Sequence, residues 1–241
     1  SQFSNGYYNE QSIIQSQLDQ LVQLFWYVRS SGKRLVLLND VHNYFDVAYY
    51  PTCVAFRLDD IQDYYCTEQQ IAIMDVFEEY QAPLTVGVIA NSFGQDKSIV
   101  DAVKEFMQSP GAEVCDHGYN HEDFSTFSLS DQESLLSKSI TAIQKVLGVR
   151  VTTFIPPFNS FNSNTLTALK ANGFTLMSSE VDQDPAPYPS RTKPPSDGFW
   201  RFPIQAQTAV EVPNGNYAPI AASVTLSQID TQVAKYGFSA V

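Results

Sequence analysis

The chain has 241 residues, 44% of them hydrophobic and 13% aromatic, with 11 Gly and 13 Pro. This composition supports a packed core and excludes both intrinsic disorder and a collagen-like repeat. Fourteen Lys+Arg against 26 Asp+Glu leave a formal charge of -12, which repels a phosphate backbone and argues against nucleic acid as a partner.

No run approaches the roughly 18 to 20 consecutive apolar residues that cross a bilayer, so the chain is not expected to span a membrane. It begins at Ser1 without a basic-then-apolar leader, as in a processed secreted protein or a trimmed chain. Three cysteines, Cys53, Cys66 and Cys115, allow at most one internal disulfide.

In chain order, Ile14, Leu18, Leu21, Val22, Phe25 and Val28 recur at helical steps and predict a helix over Gln11 to Ser30, stopped by Gly32. A short strand is expected near Leu35, then a connection through Tyr44 to Pro51, so that residues 1–50 read as an N-terminal helical extension. From 51 to 241 the pattern alternates. Strands are predicted at 52–58, 84–90, 112–115, 152–155 and 175–179, and helices at 68–80, 97–107, 130–147 and 162–172. Such alternation predicts an α/β fold of parallel β/α units, an open sheet or a barrel. Ser130 with Glu133 reads as a capping box, Asn162 or Ser163 as the next cap, and Gly148 and Gly173 as helix stops. Asp182 to Pro195, with five prolines, reads as a long irregular loop. Its Arg191 and Lys193 can reach a substrate or simply be solvated.

Two short motifs carry chemistry. Asp59 and Asp60 follow the first strand-like run, where β/α folds place their active sites. A turn there would let one carboxylate bind an ion while the other faces a water. After the 112–115 strand, His117 and His121 are spaced so that a helical turn would present both imidazoles to one metal ion. Taken singly, an Asp-Asp pair is commonest in turns and caps, and H-x-x-x-H often arises by chance. Together they supply carboxylate and imidazole donors with positions left for water and substrate, which points to metal-assisted hydrolysis.

Those motifs, F-R-L-D-D (56–60) and H-G-Y-N-H (117–121), with F-I-P-P-F-N (154–159) in the same order, resemble the polysaccharide deacetylase family over roughly residues 52–241. The resemblance implies a distorted, incomplete NodB-like (β/α) barrel, an N-acetylhexosamine polysaccharide as substrate, and a secreted or cell-wall setting. It implies Asp59 as catalytic base and Asp60, His117 and His121 as ligands of one divalent ion, with Zn2+ the first choice. Pro157 and Phe158 would wall the substrate groove, the Phe158 N–H would face the oxyanion, and Trp200 would line the acetyl pocket.

Two departures stand out. The arginine that opens the family's third motif is replaced by Ile155, and Arg57 or Arg201 can substitute only if the fold brings it near. The family's last motif supplies a histidine, yet none follows His121. K-Y-G-F-S-A-V at 235–241 reads as a helix end entering a strand that would precede it, with the chain stopping short. His42 is expected to be structural, and Cys66 to Cys115 is one conceivable disulfide. The alternative function is a carbohydrate-binding or adhesion module on the same fold, catalytically weak or inactive.

Overall fold

The computed structural model describes residues 10–44, 52–184, 195, 198–211 and 217–241. Helix α1 (Glu10–Ser30) leads into strand β1 (Arg34–Val36) and a 3-10 segment, Leu38–Tyr44. Then follow β2 (Cys53–Ala55), β3 (Arg57–Ile61), α2 (Thr67–Glu79), β4 (Leu84–Val88), α3 (Lys97–Phe106), β5 (Ala112–Asp116) and α4 (Leu129–Leu147). The second half comprises β6 (Thr153–Phe154), α5 (Ser163–Ala171), β7 (Leu176–Met177), β8 (Trp200–Arg201), the antiparallel pair β9 (Ala209–Glu211) and β10 (Tyr217–Pro219), α6 (Ala222–Tyr236) and β11 (Phe238–Ala240).

Strands β3 to β8 form a six-stranded parallel sheet in sequence order, and β1-β2-β11 form a second, three-stranded parallel sheet. Phe56 joins the two, because β2 pairs with β1 and β11 whereas β3, directly after it, pairs with β4. At the far edge, Ile204 bridges both Glu180 and Ala240. The six-stranded and three-stranded sheets are therefore linked at this edge by isolated bridges alone, giving the distorted, incomplete barrel that was expected.

Local chemistry sets the helix ends. Asp96 caps α3 by accepting from Ser98 N at 2.8 Å, and Asn162 with Thr165 forms a capping box on α5. Helix α4 starts two residues earlier than the Ser130–Glu133 box suggests, because Ser128 is the residue whose side chain accepts from Asp131 N. Gly148 ends α4 at φ 77°, a conformation that other residues enter only with strain. Most of the Pro-rich loop, including Arg191 and Lys193, lies outside the described residues.

The N-terminal helix is tied to the rest of the chain by its apolar face. Leu24, Phe25 and Val28 are buried in the main core, and Phe25 meets Phe56 and Phe77 edge to face with ring centroids 5.6 and 4.7 Å apart. Residues from β1 and the following 3-10 segment pack with Phe202, Tyr236 and Phe238 in a second cluster. Helix α1 thus packs on β1, α2 and α6 and shares the main core. No helix among the described residues is long and apolar enough to cross a membrane.

Phe25 is fully buried, so Phe25→Ala is expected to cost about 3–5 kcal/mol of stability. Urea unfolding measures it, and a loss below about 1 kcal/mol would mean that α1 is dispensable to the fold.

Candidate metal centre and active site

Asp59 and Asp60 lie within β3, not beyond its end as the sequence suggested. Register with β4 shifts between Leu58 and Ile61, and Asp60 adopts a left-handed φ of 65°. This bulge breaks the strand's two-residue alternation. The Asp60 carbonyl then accepts from Gln70 Nε2 at 2.6 Å, which fixes the turned peptide.

The histidines are positioned differently from the helical turn that was expected. His117 directly follows β5, and the chain folds back through Gly118 (φ 82°) and His121 (φ 62°). Glu122 holds this loop from within by accepting from Tyr119 N and Asn120 N at 3.1 and 2.9 Å. The carbonyls of Gly118 and Tyr119 accept from Ala90 N and Asn91 N, tying the loop to the end of β4. Close approach is allowed by two glycines. A Cβ on Gly87 would sit 3.3 Å from His117 Cβ, and one on Gly118 only 2.9 Å from Pro157 Cγ.

These backbone turns bring three donors together. Asp60 Oδ1 lies 3.2 Å from Nε2 of His117 and 3.2 Å from Nε2 of His121. His117 Nδ1 is 2.8 Å from the Ile155 carbonyl, which can only accept; Nδ1 therefore carries the hydrogen, and the Nε2 lone pair faces Asp60 when the ring is neutral. Tetrahedral zinc with bonds of about 2.0–2.1 Å spaces its donors about 3.3 Å apart; the two Asp60–histidine distances match this, and all three donor atoms lie within 4.8 Å of one another. Burial works against charge on Asp60, yet the two imidazoles outweigh it and hold the carboxyl well below the usual carboxylate range. Burial also opposes charge on His117, but Asp60 and Asp59 prevail and raise its pKa. The locus favours a positive charge.

Asp59 stands beside this group. Its Oδ2 is 2.9 Å from Nη2 of Arg57, while Oδ1 is buried with no hydrogen-bond partner. The guanidinium is nearly buried, its side chain 4% exposed. It also donates to Asn159 Oδ1 at 2.6 Å and to the Ser178 carbonyl at 2.5 Å. Of the two arginines considered for the place of Ile155, Arg57 is near. Arg201 instead pairs with Asp184 at 2.8 Å.

Phe158 is 64% exposed, and its ring meets His121 edge to face at 4.5 Å. Pro157 is buried against Gly118. Trp200 is not brought to this site. It starts β8 opposite Leu176, four residues before Ile204, whose bridge partner Glu180 lies at the site end. At about 3.3 Å per residue that is about 13 Å along the strand. There Trp200 packs on Phe202 and on His42, with ring centroids 5.6 and 5.7 Å away. His42 is thus remote from the site as well. Cys115 is a free, buried thiol that donates to the Val86 carbonyl, so the Cys66–Cys115 bridge is not formed.

Sequence reasoning passed over Asn159, Glu180 and the pair Tyr64–Tyr65. The two tyrosines follow the first motif and are 72% and 61% exposed. They could have been found as an aromatic pair in a loop beside paired carboxylates.

The polysaccharide deacetylase family model matches residues 48–177. Among curated proteins, the peptidoglycan deacetylase of Helicobacter pylori is 30% identical over 120 residues, 48% of this chain and 38% of that protein. The peptidoglycan deacetylase-like protein FGM2 of Gibberella zeae is 32% identical over 80 residues, 33% of this chain and 21% of that one. The chain thus covers well under half of either relative's length. Among solved structures, the Streptococcus pyogenes deacetylase PplD superposes with a TM-score of 0.53 at 17% identity, covering 70% of this chain and 71% of that one. The BpsB deacetylase domain of Bordetella bronchiseptica gives 0.53 at 13% identity, covering 74% and 80%. Both share the fold.

Below the site, Asp116 is fully buried; its Oδ1 accepts from Ser139 Oγ and Gly118 N while Oδ2 has no partner. Burial pushes its pKa up to about 7. A carboxyl raised in the fold favours the folded state fully below its unfolded pKa of about 3.9, and that contribution is lost as pH rises toward about 7. In protein freed of divalent ions, the stability of the wild type relative to Asp116→Asn should therefore fall between pH 4 and 7. Urea titrations at each pH check this, and a constant difference would refute it.

Proposed function

The chain belongs to the polysaccharide deacetylase family, and from that premise we propose that it is a metal-dependent hydrolase removing N-acetyl groups from an N-acetylhexosamine polymer of the chitin, peptidoglycan or galactosaminoglycan kind. The observation that carries this reading is the convergence of Asp60, His117 and His121 next to a second carboxylate, Asp59, with an orphaned buried oxygen.

When held by Asp60, His117 and His121, a divalent ion such as Zn2+ supplies a Lewis acid for an acyl oxygen and lowers the pKa of a water. The chain's own groups do the rest. Asp59 Oδ1 takes the proton from the water that adds to the acetyl carbon; the C–N bond then breaks, and a proton passes to the departing amine. Acetate and a free amino sugar result. The Phe158 N–H is proposed to donate to the oxygen that becomes negative during addition, an interaction worth about 2.7–4 kcal/mol in comparable sites. Pro157 and the exposed Phe158 ring form the wall against which a pyranose lies, with Tyr64 and Tyr65 offering further aromatic surface on the loop after β3. Glycans of this kind lie outside the cytoplasm, so the protein is proposed to act as a secreted or cell-surface enzyme.

The alternative of a binding module without turnover drew half its motive from the missing arginine at 155. The Arg57 guanidinium 2.9 Å from Asp59 favours turnover instead.

Acetate release from acetylated chito-oligosaccharides is expected to require a divalent ion and to fall about 10²–10⁴-fold in Asp59→Asn, with bound metal unchanged. Phe158→Ala should raise KM several-fold and leave kcat close to wild type. Equal rates for wild type and Asp59→Asn would overturn the enzyme reading, whatever the metal content.

A further inference from the structure

Ile155 is fully buried, with Cδ1 3.4 Å from the place a Cβ on Gly87 would take, so β6 contributes no cation to the base. The cation comes from β3, two residues before Asp59, and in a strand those two positions share a face. Its contacts reach further than the base. One guanidinium nitrogen, Nη2, serves both Asp59 Oδ2 and Asn159 Oδ1, at 2.9 and 2.6 Å. The other, Nη1, donates to the Ser178 carbonyl, Ser178 Oγ and the Ser179 carbonyl, at 2.5, 3.1 and 3.2 Å. Asn159 in turn donates from Nδ2 to Glu180 Oε2 at 3.2 Å.

Asn159 is not an ordinary acceptor. It and Phe158 are consecutive non-glycine residues in the left-handed region, at φ 53° and 56°. Two such residues in succession persist only where their surroundings over-determine them. The Asn159 side chain is held from both sides, by Arg57 and by Glu180, and the Phe158 peptide immediately precedes it.

We infer that Arg57 is a positioning residue with two loads: its planar guanidinium fixes the orientation of the Asp59 carboxylate and, through Asn159, the turn that aims the Phe158 N–H. Base and oxyanion donor are thereby set from one group anchored on Ser178 and Ser179, directly after β7. A lysine cannot replace it, because an ammonium lacks the planar fork that reaches Asp59, Asn159 and the Ser178 carbonyl at once. The inference rests on the deacetylase reading for its kinetic consequence, and on geometry alone for its structural one.

The test uses Arg57→Lys, Arg57→Ala and Asn159→Ala in the metal-loaded full chain, with two readouts. In acetate release, both Arg57 variants should lose about 10²-fold in kcat, as expected for a displaced catalytic group. KM and bound metal should stay within about twofold of wild type, and millimolar guanidinium should restore part of the rate of Arg57→Ala. Asn159→Ala should also lower kcat, and combined with Arg57→Lys it should add less than the product of the single losses. In hydrogen exchange, which needs no substrate, Arg57→Lys and Asn159→Ala should each speed exchange at residues 158–160 while β4 and β5 stay protected. Wild-type kcat in Arg57→Lys, independent losses in the double variant, or unchanged exchange at 158–160 would each overturn the inference. A wild type that releases no acetate from any acetylated glycan would refute the deacetylase reading instead, and the exchange result alone would then decide this one.

Discussion

Alternation along a β-strand keeps neighbouring side chains on opposite sides of a sheet, and the whole site turns on how β3 escapes that rule. The bulge between Leu58 and Ile61, with Asp60 in the left-handed region, lets two adjacent carboxylates serve one reaction centre. Without it, strand alternation would turn one of the two carboxylates to the opposite face of the sheet. The strain is offset locally. Gln70 holds the Asp60 carbonyl, and Asp63 accepts from Gly94 N and Gln95 N, fastening the end of the strand to the loop after β4.

The same device recurs around the centre. His121, Phe158 and Asn159 are left-handed non-glycine residues on loops that follow β5 and β6. Each sits where the chain must turn sharply to aim a side chain or an N–H inward. Such residues cost free energy and are retained where the surrounding contacts leave no alternative. Here those contacts are specific: Glu122 inside the histidine loop, Arg57 and Glu180 on either side of Asn159, and Pro157 packed on a glycine that no other residue could replace without a clash.

Much of this organisation was legible in the sequence because it obeys short-range rules. The period of apolar residues located α2 to α5 and the strands between them to within a few residues, and the donor motifs stood out because the chain holds only three histidines. The spatial relation of Arg57 to Asp59 was also readable in principle, from a spacing of two. What escaped depends on non-local contacts. That α1 belongs to the core follows from Phe25 meeting Phe56 and Phe77, a tertiary fact with no local signature. The remote place of Trp200 follows from the register of β8 on β7, which is set by pairing and not by the residues of β8 themselves. The histidine loop was expected to be helical because a four-residue spacing suits a helix, yet Gly118 and a left-handed His121 bring the two rings to a centroid distance of 5.0 Å without one.

The position of β2 carries a further consequence. One of its edges is covered by β1, about twenty residues earlier, but the other waits for Phe238–Ala240. During synthesis the ribosome must deliver every residue between Ala55 and Phe238 before that edge finds its partner. Until then, three buried apolar residues and a row of unpaired peptide groups stand open to any extended segment nearby, the circumstance in which nascent chains associate wrongly or recruit chaperones. Pairing of that edge is therefore late by topology, and the arrival of β11 also brings the Val241 carbonyl onto Arg57 N, so the strand that carries the base and its cation gains this support only then.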